Sequence, residues 1–263
     1  MAEQLLTLMD LNLAESNREQ SRFLSPCRAV EEADVLYTAS GTRCPGGPFN
    51  SVVGLGRTCP DPEQTLKYAR TFYGELGRGF TVYVRTHVDH DLGTMCERAG
   101  FTKMSDTPGM VLRSRLPRPE LGSSVAIREV EDAAGAPAFA EVAAASYESI
   151  GLPADITRKV FSMPARWLKP HLPVFVVFDH DEPVAAAMLH LSHGIAGVYW
   201  VGTVPAARGK GHANAVMRHV SNHAFDRGAA AVILQATPFG EPVYRKLGYQ
   251  EVTRYPWYMA GKK

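Results

Sequence analysis

From Val125 onward the apolar positions switch between a period of two and a period near 3.6, and the switches mark out strands and helices. Val125 to Val130 reads as a short strand. Asp132 to Ile150 is Ala-rich at helical spacing, with Asp132 near its start. Pro153 to Leu168 reads as a second helix, because proline suits a first helical turn. Val174 to Phe178 is a continuous apolar strand that stops at Asp179-His180-Asp181. Pro183 to Leu191 and Ala196 to Thr203 follow as strands, with a turn at His193-Gly194. Gly211 to Arg227 sets Ala213, Val216, Met217, Val220 and Ala224 on one helical face, and Gly228 stops it. Ala230 to Ala236 is another buried strand, Gly240 to Leu247 a short helix ended by Gly248, and Gln250 to Ala260 the last strand or two. The order β-α-α-β-β-β-α-β-α-β predicts an α/β fold, a mixed sheet with helices on its faces.

The clearest break is Leu116-Pro117-Arg118-Pro119-Glu120-Leu121-Gly122-Ser123-Ser124. Its prolines remove donors and its Gly-Ser-Ser tail adds freedom. It leaves about 115 residues before it and about 140 after, each a workable domain length. The division is therefore 1–118, a linker at 119–124, and 125–263.

Composition narrows the chemistry. With 28 basic and 27 acidic residues, net +1, there is no global field to draw in nucleic acid, so an anionic ligand needs a local device. The four cysteines, Cys27, Cys44, Cys59 and Cys96, lie far apart without a C-x-x-C pair, which argues against a metal site or a disulfide framework. Residues 1–25 mix apolar with polar positions, unlike a signal peptide, and no stretch approaches the ~18 apolar residues of a membrane span. The expected location is cytoplasmic, with no nucleic-acid or membrane partner; a homodimer is left open.

The local device is at Val201-Gly202-Thr203-Val204-Pro205-Ala206-Ala207-Arg208-Gly209-Lys210-Gly211-His212-Ala213. A strand ends, a loop with two glycines follows, and a helix starts. Such a start presents unpaired N–H groups and the positive end of the helix dipole, which favour phosphate. Arg208 and Lys210 add formal charge. The segment is neither a Walker loop nor a G-x-G-x-x-G fingerprint.

It resembles motif A of the GNAT superfamily of acetyl-CoA-dependent N-acetyltransferases, [RQ]-x-x-G-x-[GA], with Arg208, Gly211 and Ala213 at the fixed positions. The resemblance implies that the loop amides of Arg208, Gly209, Lys210, Gly211, His212 and Ala213 hold the pyrophosphate of acetyl-CoA. It also implies that Gly202, Thr203 and Val204 pair with the pantetheine arm, and that an N–H near Val204 meets the oxyanion. Downstream, Tyr244-Arg245-Lys246-Leu247-Gly248-Tyr249 resembles motif B, Y-x-x-x-G-[FY]. This makes Tyr244 the expected general acid, since a phenol near ~10 can protonate a thiolate whose acid is near ~8.5. Many family members carry a base glutamate on the strand before motif A, but Gly197-Val198-Tyr199-Trp200-Val201-Gly202-Thr203 has no carboxylate. His190 or Glu148 could serve through water, although each reads more simply as structural or solvated, and His212 reads as a loop-to-helix residue. Tyr147, Phe161, Trp167, Trp200, Tyr255, Trp257 and Tyr258 are grouped as acceptor-pocket aromatics, each read singly as core.

The first half parallels the second. Gly77 to Arg85 matches Arg227 to Gln235, Cys96 to Phe101 matches Tyr244 to Tyr249, and Pro108 stands opposite Pro256. On the same offset the cofactor loop falls on Cys59-Pro60-Asp61-Pro62-Glu63-Gln64, where prolines lack N–H groups and two acids repel phosphate. Cys96 holds the tyrosine position and reads as a core cysteine. The expectation is two tandem GNAT-like acyl-CoA N-acyltransferase domains, the first degenerate and without a cofactor loop, with Gly46 to Ser51 as a candidate wall of the acceptor cleft. The function expected is transfer of an acetyl group to a primary amine of a small molecule or peptide; the alternative is an acyl-CoA-binding regulatory module without transfer activity. No metal site is expected.

Overall fold

A computed structural model describes residues 2–44, 47–56 and 61–260. The chain groups into two compact units: unit 1 is Met1–Met110 with Gln235–Pro238 and Glu251–Lys263, and unit 2 is Val111–Leu234 with Phe239–Gln250. This grouping sends the C-terminal end of the chain to unit 1, whereas the proline-rich break divides the sequence consecutively.

Unit 1 contains α1 (Ala2–Ser21), β1 (Arg28–Glu32), β2 (Val35–Ala39), β3 (Asn50–Gly54), α2 (Pro62–Glu75), β4 (Phe80–Tyr83), α3 (His90–Arg98) and most of β5 (Thr102–Leu112). The first three strands pair antiparallel, and β3 pairs in parallel with β4 through Ser51↔Thr81 and Val52↔Val82. Its core is filled by Leu66, Phe72 and Tyr73 of α2, Leu92 and Cys96 of α3, and Val35, Tyr37 and Val82 of the strands. The last strand, β11 (Gln250–Ala260), is a single strand of 11 residues that pairs antiparallel with β4 through Tyr258↔Val82. Tyr255, Trp257 and Tyr258 therefore pack in unit 1: Tyr255 Oη donates to Asp10 Oδ1 at 2.8 Å, Trp257 stacks on Tyr83, and Tyr258 Oη donates to Glu97 Oε1 at 3.1 Å. Strand pairing is non-local, which is why the pattern of residues 250–260 reveals the strand but not its neighbours.

Unit 2 contains β6 (Val125–Glu129), α4 (Ala136–Glu148), α5 (Ala154–Val160), β7 (Val174–Asp179), β8 (Glu182–Ser192), β9 (Ile195–Thr203), α6 (His212–Asp226), β10 (Val232–Gln235, nearly all of it here) and α7 (Glu241–Lys246). The order matches the one read from the pattern. The strands run β10-β9-β8-β7-β6. β8 is buried at seven successive positions, Val184 to His190, so both its faces are covered, and the small Ala185-Ala186-Ala187 lets helices approach closely. Both strand turns have their residues at positive φ, His180-Asp181 and His193-Gly194, the pattern of tight hairpins.

One expectation fails. The helix from Pro153 to Leu168 stops at Val160, and a 3-10 turn at Pro164–Arg166 follows. Pro164 has no N–H for a continuing helix and disfavours helical geometry before it. Trp167 closes the turn by donating Nε1 to Phe161 O at 3.2 Å.

Candidate active site

β9 carries the features that build the site. Its parallel register with β10 covers Ala196↔Val232 and Gly197↔Ile233 only, yet β9 continues to Thr203. The stretch from Val198 to Thr203 therefore presents an edge without a β10 partner in register, the kind of edge that pairs with an extended chain. Against β8 the register shifts between Ala186 and Met188, and Trp200 sits at φ 53°, a bulge that re-aims the strand. Gly202 lets α4 come close, since a Cβ there would lie 2.6 Å from Ser146 Cβ and Oγ. Thr203 Oγ1 is buried and has no hydrogen-bond partner among the described residues, a cost that a ligand would relieve.

A 3-10 turn, Pro205–Ala207, leads to the loop, and α6 begins at His212. Gly211 is its N-cap at φ 87°, ψ −1°, with no side-chain cap bond. That left-handed geometry is open to glycine and costly for other residues. The first amides of α6 are thus left bare, and a Cβ at Gly209 or Gly211 would meet nothing within 4 Å. The space in front of these donors is open. Lys210 is exposed and makes no hydrogen bond or ion pair among the described residues.

Two loop residues behave differently from expectation. The Arg208 guanidinium turns back, with Nε donating to Thr203 O at 3.2 Å and Nη2 to Ser149 Oγ at 2.7 Å. It ties β9 to the end of α4 instead of adding its charge to the loop amides. Val204, the expected neighbourhood of the oxyanion donor, gives its N–H to Val184 O at 2.9 Å and accepts Ala207 N–H at 2.9 Å. Its backbone is spent, and the irregularity of the strand lies at Trp200. His212 is 5% exposed, with Nε2 3.4 Å from Asp179 Oδ2 and no hydrogen bond; it packs as a loop-to-helix residue.

Tyr244 is buried on α7, and its hydroxyl makes no hydrogen bond among the described residues. Its ring lies across Gly240, where a Cβ would come within 2.7 Å of Cε2. Burial pushes its phenol well up, and burial does the same to Tyr147, which also feels Tyr244. Tyr147 in turn meets Trp200, ring centroids 4.7 Å apart, and its Cε2 is 3.7 Å from where a Gly202 Cβ would stand. Tyr147, Trp200, Gly202 and Tyr244 therefore form one neighbourhood. The sequence marked Tyr147 only as one aromatic among several.

The remaining candidates differ in how they stand to it. His190 is opposite Gly197 and packs against His171 and Tyr199. Gly197 is five residues from Gly202, roughly 16 Å along a strand at about 3.3 Å per residue. Glu148 is exposed at the end of α4. Phe161 and Trp167 are fully buried with Phe139 in an aromatic core, and Phe161 joins that core to Trp200, ring centroids 4.9 Å apart. In unit 1, Cys96 is buried and its thiol is pushed up to about 12 by burial, so it is inert as a nucleophile. Cys59 and Pro60 of the eroded loop and Gly46 of the candidate wall lie outside the described residues. Among those residues no group of three or more His, Cys, Asp or Glu could hold a metal, and no helix is long and apolar enough to cross a membrane.

Residues 137–249 match the sequence model of the Acetyltransferase (GNAT) family, so this segment of the chain is a GNAT acetyltransferase domain. It spans α4 to α7 and includes every residue of the neighbourhood above. Solved structures share the fold. A GCN5-related N-acetyltransferase from Kribbella flavida is 19% identical with a TM-score of 0.71, covering 94% of this chain and 96% of that one. A second from Sphaerobacter thermophilus is 16% identical with a TM-score of 0.61, covering 87% and 80%. A functionally unknown conserved protein from Staphylococcus epidermidis ATCC 12228 is 13% identical with a TM-score of 0.65, covering 90% and 95%. No curated protein matches the chain.

Proposed function

We propose that unit 2 is an acetyl-CoA-dependent N-acetyltransferase acting on a primary amine of a small molecule or peptide, and that unit 1 is a degenerate copy of the same fold. The observation that carries this reading is the pairing of two unsatisfied elements within the GNAT segment: the bare start of α6 behind Gly211, and the unpartnered edge of β9. The first suits a pyrophosphate and the second an amide-bearing arm. The residues fit such a ligand: Thr203 has an orphaned buried hydroxyl, and a side chain at Gly211 would point into open space.

When bound, acetyl-CoA supplies an acetyl group activated as a thioester. In this reading the amides from Gly209 to Ala213 hold the pyrophosphate, Lys210 screens its charge, and Gly202 and Thr203 lie along the arm. Arg208 positions the end of β9 through the Thr203 carbonyl. Since the Val204 N–H is committed, the oxyanion donor is an N–H of the unpaired stretch from Val198 to Thr203. Burial raises the Tyr244 phenol, so Tyr244 holds its proton until the thioester bond breaks, and in this reading it donates that proton to the departing sulfur.

The test is release of free CoA thiol from acetyl-CoA across a panel of amines, with CoA binding measured by calorimetry. Binding together with thiol release supports the reading, and no binding ends it. Binding with no transfer to any acceptor would favour the regulatory module instead, a reading prompted by the absence of a carboxylate on β9.

A further inference from the structure

The chain entering the proline-rich break is fastened to α6. Arg115 pairs with Asp226 at 2.7 Å, Leu116 exchanges two hydrogen bonds with the Asn222 amide at 2.9 Å each, and Pro117 O accepts from Arg218 Nη1 at 3.2 Å. The partners 226, 222 and 218 are each one helical turn apart, so the segment climbs α6 toward its N-terminus, turn by turn. Beyond Pro117 the chain closes a cleft of about 440 Å³ between residues 117–122 and the start of α6, a size suited to a small-molecule moiety.

The cleft is basic. Arg118, Lys210 and Arg218 line it against one carboxylate, Glu120. Arg118 and Lys210 make no hydrogen bond or ion pair among the described residues. Arg218 is held in place by Asn214 Oδ1, which accepts from Nε at 2.8 Å, leaving Nη2 unengaged. Two arginines at one site suit a phosphomonoester, which they bind through paired N–H groups.

We propose that residues 117–122 complete the acyl-CoA site, and that Arg118 and Arg218 recognise the phosphate on the ribose at the cofactor's nucleotide end. The inference rests on the acyl-CoA reading above. Its chemistry follows from connectivity: the ribose is bonded to the pyrophosphate that the α6 start would hold, and Lys210 belongs to both the loop and the cleft. The segment then distinguishes CoA from the same molecule lacking the 3′-phosphate.

Titration calorimetry on the full chain with CoA and with 3′-dephospho-CoA tests it. The wild type should prefer CoA by at least about tenfold, with the preference shrinking as salt screens the contacts. Arg118→Ala should bring the preference toward unity while affinity for dephospho-CoA and the melting temperature hold. Arg218→Lys keeps the charge but loses the planar fork, and should lower the preference less. An unchanged preference in Arg118→Ala, or none in the wild type, overturns the inference and leaves the site reading intact. Failure of the wild type to bind either molecule overturns both.

Discussion

In unit 2 the strands β9 and β10 stay in register for two residue pairs and then part, and α6 starts on a glycine with no side-chain cap. In unit 1 β3 and β4 also keep register for two pairs, and α2 follows β3. There the resemblance ends. Arg85 is fully buried and presses on Gly54 so closely that a Cβ on that glycine would overlap the guanidinium. Asp89 holds it through both carboxylate oxygens at 2.9 and 2.7 Å. At the start of α2, Asp61 Oδ1 accepts from Glu63 N and Gln64 N at 2.9 and 3.4 Å. Unit 1 fills its own slot with an arginine and caps its own helix with an acid. Unit 2 leaves both unfilled. On the reading proposed above, the site consists of donors and space that the fold does not satisfy internally, and unit 1 lacks it because it satisfies them.

The tyrosine position gives the largest expected contrast. Tyr244→Phe should lower turnover about 100-fold or more, with CoA affinity by calorimetry unchanged, because it removes only the proton donor. Cys96→Ala, at the matching position of unit 1, should leave turnover within about twofold. Retained turnover in Tyr244→Phe would sink its role as the acid.

Next in size is Arg85. Replacing it with Ala leaves Asp89 a buried carboxylate without its guanidinium partner, while Asp10 keeps the Tyr255 hydroxyl, and should cost about 3–5 kcal/mol in denaturant unfolding of the full chain. A loss under ~1 kcal/mol would mean that the plug is a minor part of unit 1. The reverse experiment acts on unit 2. Gly211→Asp sets a carboxylate at the open mouth of the α6 start, where aspartate tolerates the left-handed backbone better than most residues. CoA affinity should fall about 100-fold, the worth of one or two charge-assisted bonds. Unchanged affinity would remove the loop from the cofactor site.

The contrast was only partly legible in the sequence. The glycines at 209 and 211, the stop at Gly228 and both hairpin turns are local signals, and each stands where the pattern put it. Asp61 was legible as an acid that repels phosphate, and its role as the cap of α2 comes from the structure. What stayed hidden depends on partners distant in the chain. Nothing local puts Trp200 at positive φ; it is wedged between Tyr147 and Phe161, 4.7 and 4.9 Å away by ring centroids. The commitment of the Val204 N–H depends on the β8 register, and the inward turn of Arg208 depends on where α4 ends. Arg85 reads in sequence as an ordinary polar residue after a strand. Its burial follows only from Asp10, 75 positions away, and Asp89. The proline-rich break shows the same limit: its composition gives no sign that Leu116 and Pro117 are anchored by Asn222 and Arg218, on a helix about a hundred residues later.

The smallest effect is the most discriminating. Asp61→Ala removes the cap of α2 and should cost about 1 kcal/mol of stability, read by chemical denaturation. It also gives α2 the bare amides that α6 has, while leaving Arg85 in its slot. If uncapped amides alone made the site, this variant would bind a second equivalent of CoA; if the slot matters as well, stoichiometry by calorimetry stays at one. We expect one. A pyrophosphate at the helix start has no extended edge beside it for the rest of the molecule, because Arg85 fills the space next to Gly54. A second equivalent would show that Asp61 alone keeps unit 1 empty, and that Arg85 stabilises the fold without excluding a ligand.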